Sequence, residues 1–126
     1  MTQIFKNKNN ILFINNISFI EIINDNLFAY IRKKIKVEKI DLNITQPEMD
    51  KFLLNKNLNI LRIGKYYINL DKIIQIMEDI HLKENLELQK KDNTIIRFLF
   101  DVDYIEIEVA KEYWKFWLEN ILYKKL

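Results

Sequence analysis

The sequence predicts an α+β fold, a twisted and mostly antiparallel sheet with helices packed on it, from three observations. Short runs rich in Ile, Phe and Val follow one another with Asn, Asp or Gly between them, and they are too short for helices. Two segments, at residues 48–58 and 112–122, change to helical spacing directly behind such runs. These two segments also resemble each other, because Glu48/Glu112, Lys51/Lys115, Phe52/Phe116, Leu54/Leu118 and Leu58/Leu122 match at a constant offset of 64 residues. The expected architecture is a single domain over residues 1–126, with a strands-then-helix unit written twice, over 11–58 and 59–123.

Taken in order, Ile11 to Ile14 and Ser18 to Ile23 are strands divided by Asn15-Asn16, with Asn24-Asp25-Asn26 closing the second. Both faces of these strands are apolar, which predicts cover on both sides or a partner on one. Leu27 to Val37 alternates: Ala29, Ile31, Ile35 and Val37 face one way, and Phe28, Tyr30, Arg32, Lys34 and Lys36 the other. Lys39 to Ile44 continues as strand after a bend, since an unbroken strand from Leu27 would far exceed the usual five or six residues. Thr45 and Glu48 form a capping box with Pro47 in the first turn, opening a short helix that buries Met49, Phe52 and Leu53.

In the second half, Asn59 to Ile63 and Tyr66 to Asn69 form a hairpin. Gly64, the one glycine, stands at the first central position of a two-residue type II′ turn. A second echo falls here, Phe13-Ile14-Asn15 with Ile17 and Ile20 against Tyr67-Ile68-Asn69 with Ile73 and Ile76. Its spacing, 54 at the first three positions and 56 at the last two, against 64 for the helices implies about ten extra residues later on, placed in a hairpin through Leu86 to Gln89 and a turn at residues 91–93. Ile73 to Ile80, Thr94 to Phe100 and Tyr104 to Val109 read as strands, the last with Ile105, Ile107 and Val109 inward and Tyr104, Glu106 and Glu108 outward. A helix from Ala110 carries Tyr113, Trp114, Trp117, Leu118 and Ile121 on one stripe, and Phe116 and Tyr123 fall off it.

Composition sets the outer limits. With 126 residues and 49% of them apolar, the chain can bury a core without help. It has no Cys, which excludes disulfides, thiolate nucleophiles and Cys-based metal sites. The absence of Cys agrees with a reducing compartment, so a cytoplasmic location is expected, and the apolar run from Asn9 to Ile20, short of the roughly 20 residues a membrane span needs, is expected as core strand. Lysine outnumbers arginine 17 to 3 and Gly and Pro occur once each, a bias shared with AT-rich codons, and the net charge is only +2. Neither identifies a polyanion partner alone.

Chemistry is expected to be binding, not catalysis. His81, the one histidine, lies beside Glu78, Asp79 and Glu84, but ligands for a metal would have to converge from elsewhere. The pairs Glu106/Glu108 and Asp101/Asp103 have no apolar pocket to separate their pKa values. No enzyme, metal or cofactor is expected.

Two surfaces remain. The first is the strand face of Phe28, Tyr30, Arg32, Lys34 and Lys36, whose aromatics and cations suit stacked bases and phosphates of a single-stranded nucleic acid. The second is the Phe116 and Tyr123 side of the last helix, together with the doubly apolar N-terminal strands, which suit a protein partner or a homodimer. The order of elements from Ile11 to Leu122 resembles the tandem strands-then-helix repeat of the Whirly and PUR-type single-stranded nucleic-acid-binding proteins, in topology and with no residue motif to carry over. Because coding bias accounts for the lysines, the primary expectation is a non-enzymatic interaction or assembly protein, with nucleic-acid binding as the alternative.

Overall fold

Ten strands and two helices make up the computed structural model, which describes residues 4–7, 10–54, 59–78 and 92–125. The strands are β1 (Ile4–Asn7), β2 (Asn10–Phe13), β3 (Ile17–Ile23), β4 (Asn26–Lys33), β5 (Lys36–Asp41), β6 (Ile60–Ile63), β7 (Tyr66–Asn69), β8 (Ile73–Met77), β9 (Asn93–Phe100) and β10 (Tyr104–Ala110). The helices are α1 (Gln46–Leu54) and α2 (Lys111–Lys125). The fold is the expected α+β class with antiparallel pairing, distributed over sheets of two, five and three strands. Two compact units, 1–72 and 73–126, divide the chain.

In the first unit the five-stranded sheet runs β5-β4-β3-β7-β6, so the β6–β7 hairpin joins the sheet of the first half by pairing β7 with β3, Phe19 opposite Ile68 and Glu21 opposite Tyr66. β3 is apolar on both faces because the core with α1 covers one and the Phe19, Tyr30 and Tyr66 rings pack together on the other. A bulge at Ser18 separates Ile17, opposite Ile31, from Phe19, opposite Tyr30. The extra residue sends Ile17 and Ile20 to one face and Phe19 to the other. Ile17, Ile20, Leu27, Ala29, Leu42 and Tyr67 bury that first face, and α1 lays Met49 on it, with Phe52 and Leu53 beside.

Side chains fix the first half of α1. The Thr45 hydroxyl accepts from the Glu48 amide at 3.3 Å and donates to the Glu48 carboxylate at 3.2 Å, so Glu48 reaches back to the hydroxyl. Tyr67 donates to Asp50 at 2.6 Å, and Arg62, over the Tyr67 ring, contacts Asp50 at 3.7 Å and donates to Gln46 at 3.2 Å. The buried Asn69 side chain donates to the Ile17 carbonyl at 2.9 Å and accepts from the Asp71 amide at 3.1 Å, so its amide group is satisfied.

The turns use the residues that left-handed backbone asks for, with one exception. Asn24 and Asp25 (φ 49° and 67°) close β3–β4 and Gly64 (φ 59°) opens the β6–β7 turn, where only the first central residue is left-handed, as type II′ requires. The exception is Lys34 at φ 58°, in the two-residue turn Lys34-Ile35 between β4 and β5.

The second unit pairs β8, β9 and β10 in the order β10-β9-β8 and packs α2 against β9 and β10. Ile105 and Ile107 are buried. Trp114 is 5% exposed and meets Phe98 edge-on at 5.9 Å. Tyr113 departs from the expected stripe: it is 68% exposed, because the buried sector centres on Trp114 and Ile121 and ends at Trp117 and Leu118. Both three-stranded runs follow a 3₁₀ turn, Ile14–Asn16 and Leu70–Lys72, and both carry a bulge at the second position beyond it, Ser18 and Ile74. His81, Asp79, Glu84 and the hairpin expected through Leu86 to Gln89 lie outside the described residues. Among the described residues no helix is long and apolar enough to cross a membrane.

Candidate nucleic-acid interface

Directly opposed residues of neighbouring strands share a face, which locates each expected site residue. The alternation from Leu27 to Val37 is not one strand: it turns back at Lys34-Ile35, and β5 returns alongside β4 with Arg32 opposite Val37, Tyr30 opposite Lys39 and Phe28 opposite Asp41. Phe28, Tyr30 and Arg32 therefore do share a face, joined by Val37 and Lys39. Lys36 does not share it, since it pairs with Lys33 on the opposite face, and Lys34 occupies the turn itself. The physical reason is the two-residue turn, which reverses the chain without breaking the apolar-polar rhythm that suggested a single strand.

The aromatics of this face are already engaged. Phe19 and Tyr30 stack at 4.5 Å and Tyr66 meets Phe19 edge-on at 6.0 Å. Lys39 sits 4.7 Å over Phe28 and 6.0 Å from Tyr30, and Lys65 lies 5.3 Å over Tyr66. Tyr30 donates to Glu21 at 2.8 Å and the Lys65 ammonium meets the same carboxylate at 3.1 Å. Burial works to raise the Glu21 carboxyl, but these two hydrogen bonds together with the charges of Lys65 and Lys39 outweigh it and hold the group below the usual carboxylate range. The same contact raises Lys65, and burial raises the Tyr66 phenol. Phe19 and Tyr66 are buried in this cluster, while Phe28 and Tyr30 are half-buried.

What the structure does assemble is a basic ribbon. Arg32, Lys33, Lys34, Lys36 and Lys39 stand within eight residues with Glu38 as the one acid, a net +4 in a chain whose total is +2, so the rest of the chain is net −2. Lys33 contacts Glu38 at 3.6 Å, with both side chains largely in solvent, where such a pair is weak and open to exchange. Residues 32–37 are exposed, and the Ile35 side chain at the turn is 88% so. A hollow of about 450 Å³ runs along residues 33–38. The signal that marks this feature in the sequence is charge per segment: the alternation assigned Lys36 to a face, while the cluster as a whole depends only on its closeness along a hairpin.

The acidic outward face of β10 lies in the other sheet and has its own partners. Glu106 takes Arg97 at 3.2 Å and Glu108 accepts from Asn93 at 2.7 Å, both on β9. Phe116 and Tyr123 are 59% and 83% exposed, on the side of α2 that also shows Tyr113. Among the described residues no three His, Cys, Asp or Glu side chains are grouped to hold a metal.

No family model matches the chain, and no curated protein matches its sequence. A solved structure does match its fold: the LytTr DNA-binding domain of a protein described as a methyl-accepting/DNA response regulator from Bacillus cereus, with a TM-score of 0.51 and 10% identity, covering 96% of this chain and 95% of that one. At that identity the likeness is one of fold. It corrects the expectation of a non-enzymatic interaction or assembly protein, because the structure that the fold matches along nearly its whole length is of a DNA-binding domain.

Proposed function

We propose that this chain is a DNA-binding domain that holds the phosphate backbone with the β4–β5 ribbon, through Arg32, Lys34 and Lys36 with Lys33 and Lys39 beside them. The observation that carries the reading is the concentration of charge, net +4 over residues 32–39 on an exposed hairpin while the rest of the chain is net −2. A polyanion drawn to such a molecule meets the hairpin first. The fold likeness to a domain named for DNA binding supports the same reading. A two-stranded ribbon also matches the roughly 12 Å width of the major groove, whereas a single strand would need the ring faces that Phe19, Tyr30, Phe28 and Tyr66 use among themselves and with lysines.

The test is titration of a fluorescein-labelled 24-base-pair duplex and of its single strand, read by anisotropy. Four or five phosphate contacts predict that duplex affinity falls about 10²- to 10³-fold between 50 and 200 mM salt. The triple variant Arg32→Glu, Lys34→Glu, Lys36→Glu abolishes binding at 50 mM. Unaltered affinity in that variant would remove the ribbon as the site.

A further inference from the structure

We propose that Ile35 is an apolar wedge that enters between base pairs of duplex DNA and bends the duplex at the hairpin end. The inference rests on the DNA-binding reading above and adds a mode of engagement to it. Ile35 is 88% exposed at the apex of the β4–β5 hairpin, more than any other large apolar side chain described. Turn positions ordinarily take Asn, Asp, Gly or Pro, and a β-branched apolar residue there gains nothing from the fold. Its neighbour Lys34 adopts φ 58°, a conformation that costs an L-residue energy and that tends to persist where the surroundings give it a use. Lys34 and Lys36 flank the apex and Lys33 and Arg32 stand behind it. The apolar group is thus ringed by cations, and Val37, 44% exposed, is the next apolar surface along the ribbon.

A ring of cations around one apolar tip fits a polyanion with an apolar interior. Stacked base pairs have that chemistry, with phosphates on both sides and ring faces that a branched aliphatic side chain can partly unstack. An anionic lipid surface shares the charge, but stable anchoring there takes two apolar signals or one long chain plus a basic patch, and one isoleucine supplies less. Duplex DNA is therefore the occupant the residues favour.

The experiment uses the full chain, a 24-base-pair duplex carrying 2-aminopurine at successive positions and end-labelled with a donor–acceptor pair, and vesicles of phosphatidylserine and phosphatidylcholine. The wild type is expected to raise 2-aminopurine fluorescence at one step and to raise energy transfer between the ends. Ile35→Ala is expected to lose at least half of both signals and about five- to tenfold in affinity while its salt slope stays unchanged. Ile35→Leu is expected to keep both signals. Because Ile35 contacts solvent, circular dichroism melts of both variants should overlay the wild type. If Ile35→Ala keeps both signals, the wedge is wrong and the ribbon reading stands. No duplex binding by the wild type at 50 mM salt would overturn the binding reading and the wedge with it. Vesicle binding that requires Ile35, without a duplex signal, would overturn the wedge in favour of a lipid surface.

Discussion

Replacing Tyr67 by Phe removes one hydroxyl and tests how α1 is tied to the five-stranded sheet. Tyr67 is 1% exposed, and its hydroxyl donates to Asp50 at 2.6 Å. Burial, then the hydrogen bond to Asp50 and its negative charge, push the phenol up to about 12 from its usual 10. A hydrogen bond to a charged group contributes about 1.5–3 kcal/mol. The Asp50 side chain is 47% exposed and also faces Arg62 at 3.7 Å, so water and the guanidinium reduce that figure, and about 1–1.5 kcal/mol is a reasonable expectation. The phenol is held neutral in the fold, so its contribution is complete below pH 10 and is lost as the pH rises through 12. Tyr67→Phe should therefore be about 1–1.5 kcal/mol less stable at pH 8 by urea unfolding, or about 4–8 °C in midpoint temperature. The difference from wild type should shrink above pH 10 and vanish before pH 12, because burial also penalises the ionised phenol of the wild type. Tyr66, which is also raised, is common to both proteins and cancels in the comparison. A difference that stays constant across that window would show that the Tyr67–Asp50 bond does not tie α1 down as described.

Three other outcomes follow from packing and turns. Lys34→Gly frees the left-handed turn position of its side chain, a gain of about 1 kcal/mol partly offset by the looser unfolded chain; the urea midpoint should rise slightly at constant slope, and a fall would refute the strain. Trp114→Ala should cost about 3–5 kcal/mol against less than about 0.5 for Phe116→Ala, and equal losses by calorimetry would mean the buried side of α2 is misassigned. Thr45→Ala removes the α1 cap and should cost about 1 kcal/mol, checked by urea unfolding; no loss would mean the cap contributes nothing.

Where the residues dictate local geometry, the sequence was legible. Gly64 marks its hairpin, Asn24-Asp25 supplies a left-handed turn without glycine, and Thr45 with Glu48 opens α1. The antiparallel α+β class followed from run length and the change of period. The β4–β5 turn was hidden because Lys34-Ile35 carries no turn residue and continues the alternation, and that misplaced Lys36 while concealing the ribbon. The bulges at Ser18 and Ile74 were hidden for a related reason: one inserted residue in an apolar strand changes which face each side chain takes without changing composition. Tyr113 was assigned inward because spacing sets the direction of a stripe but not its width. Codon bias accounts for how many lysines there are but not for where they stand, and five of the twenty cations fall in one eight-residue hairpin.

A β4–β5 ribbon that neutralises DNA phosphates makes duplex affinity fall with salt concentration in proportion to the contacts it forms. Four or five contacts from Arg32, Lys33, Lys34, Lys36 and Lys39 predict a logarithmic slope of about −3.6 to −4.5, and Lys34→Gln with Lys36→Gln should make it shallower by about 1.8. A wild-type slope nearer zero than about −1, or a slope that these two substitutions leave in place, would contradict the account.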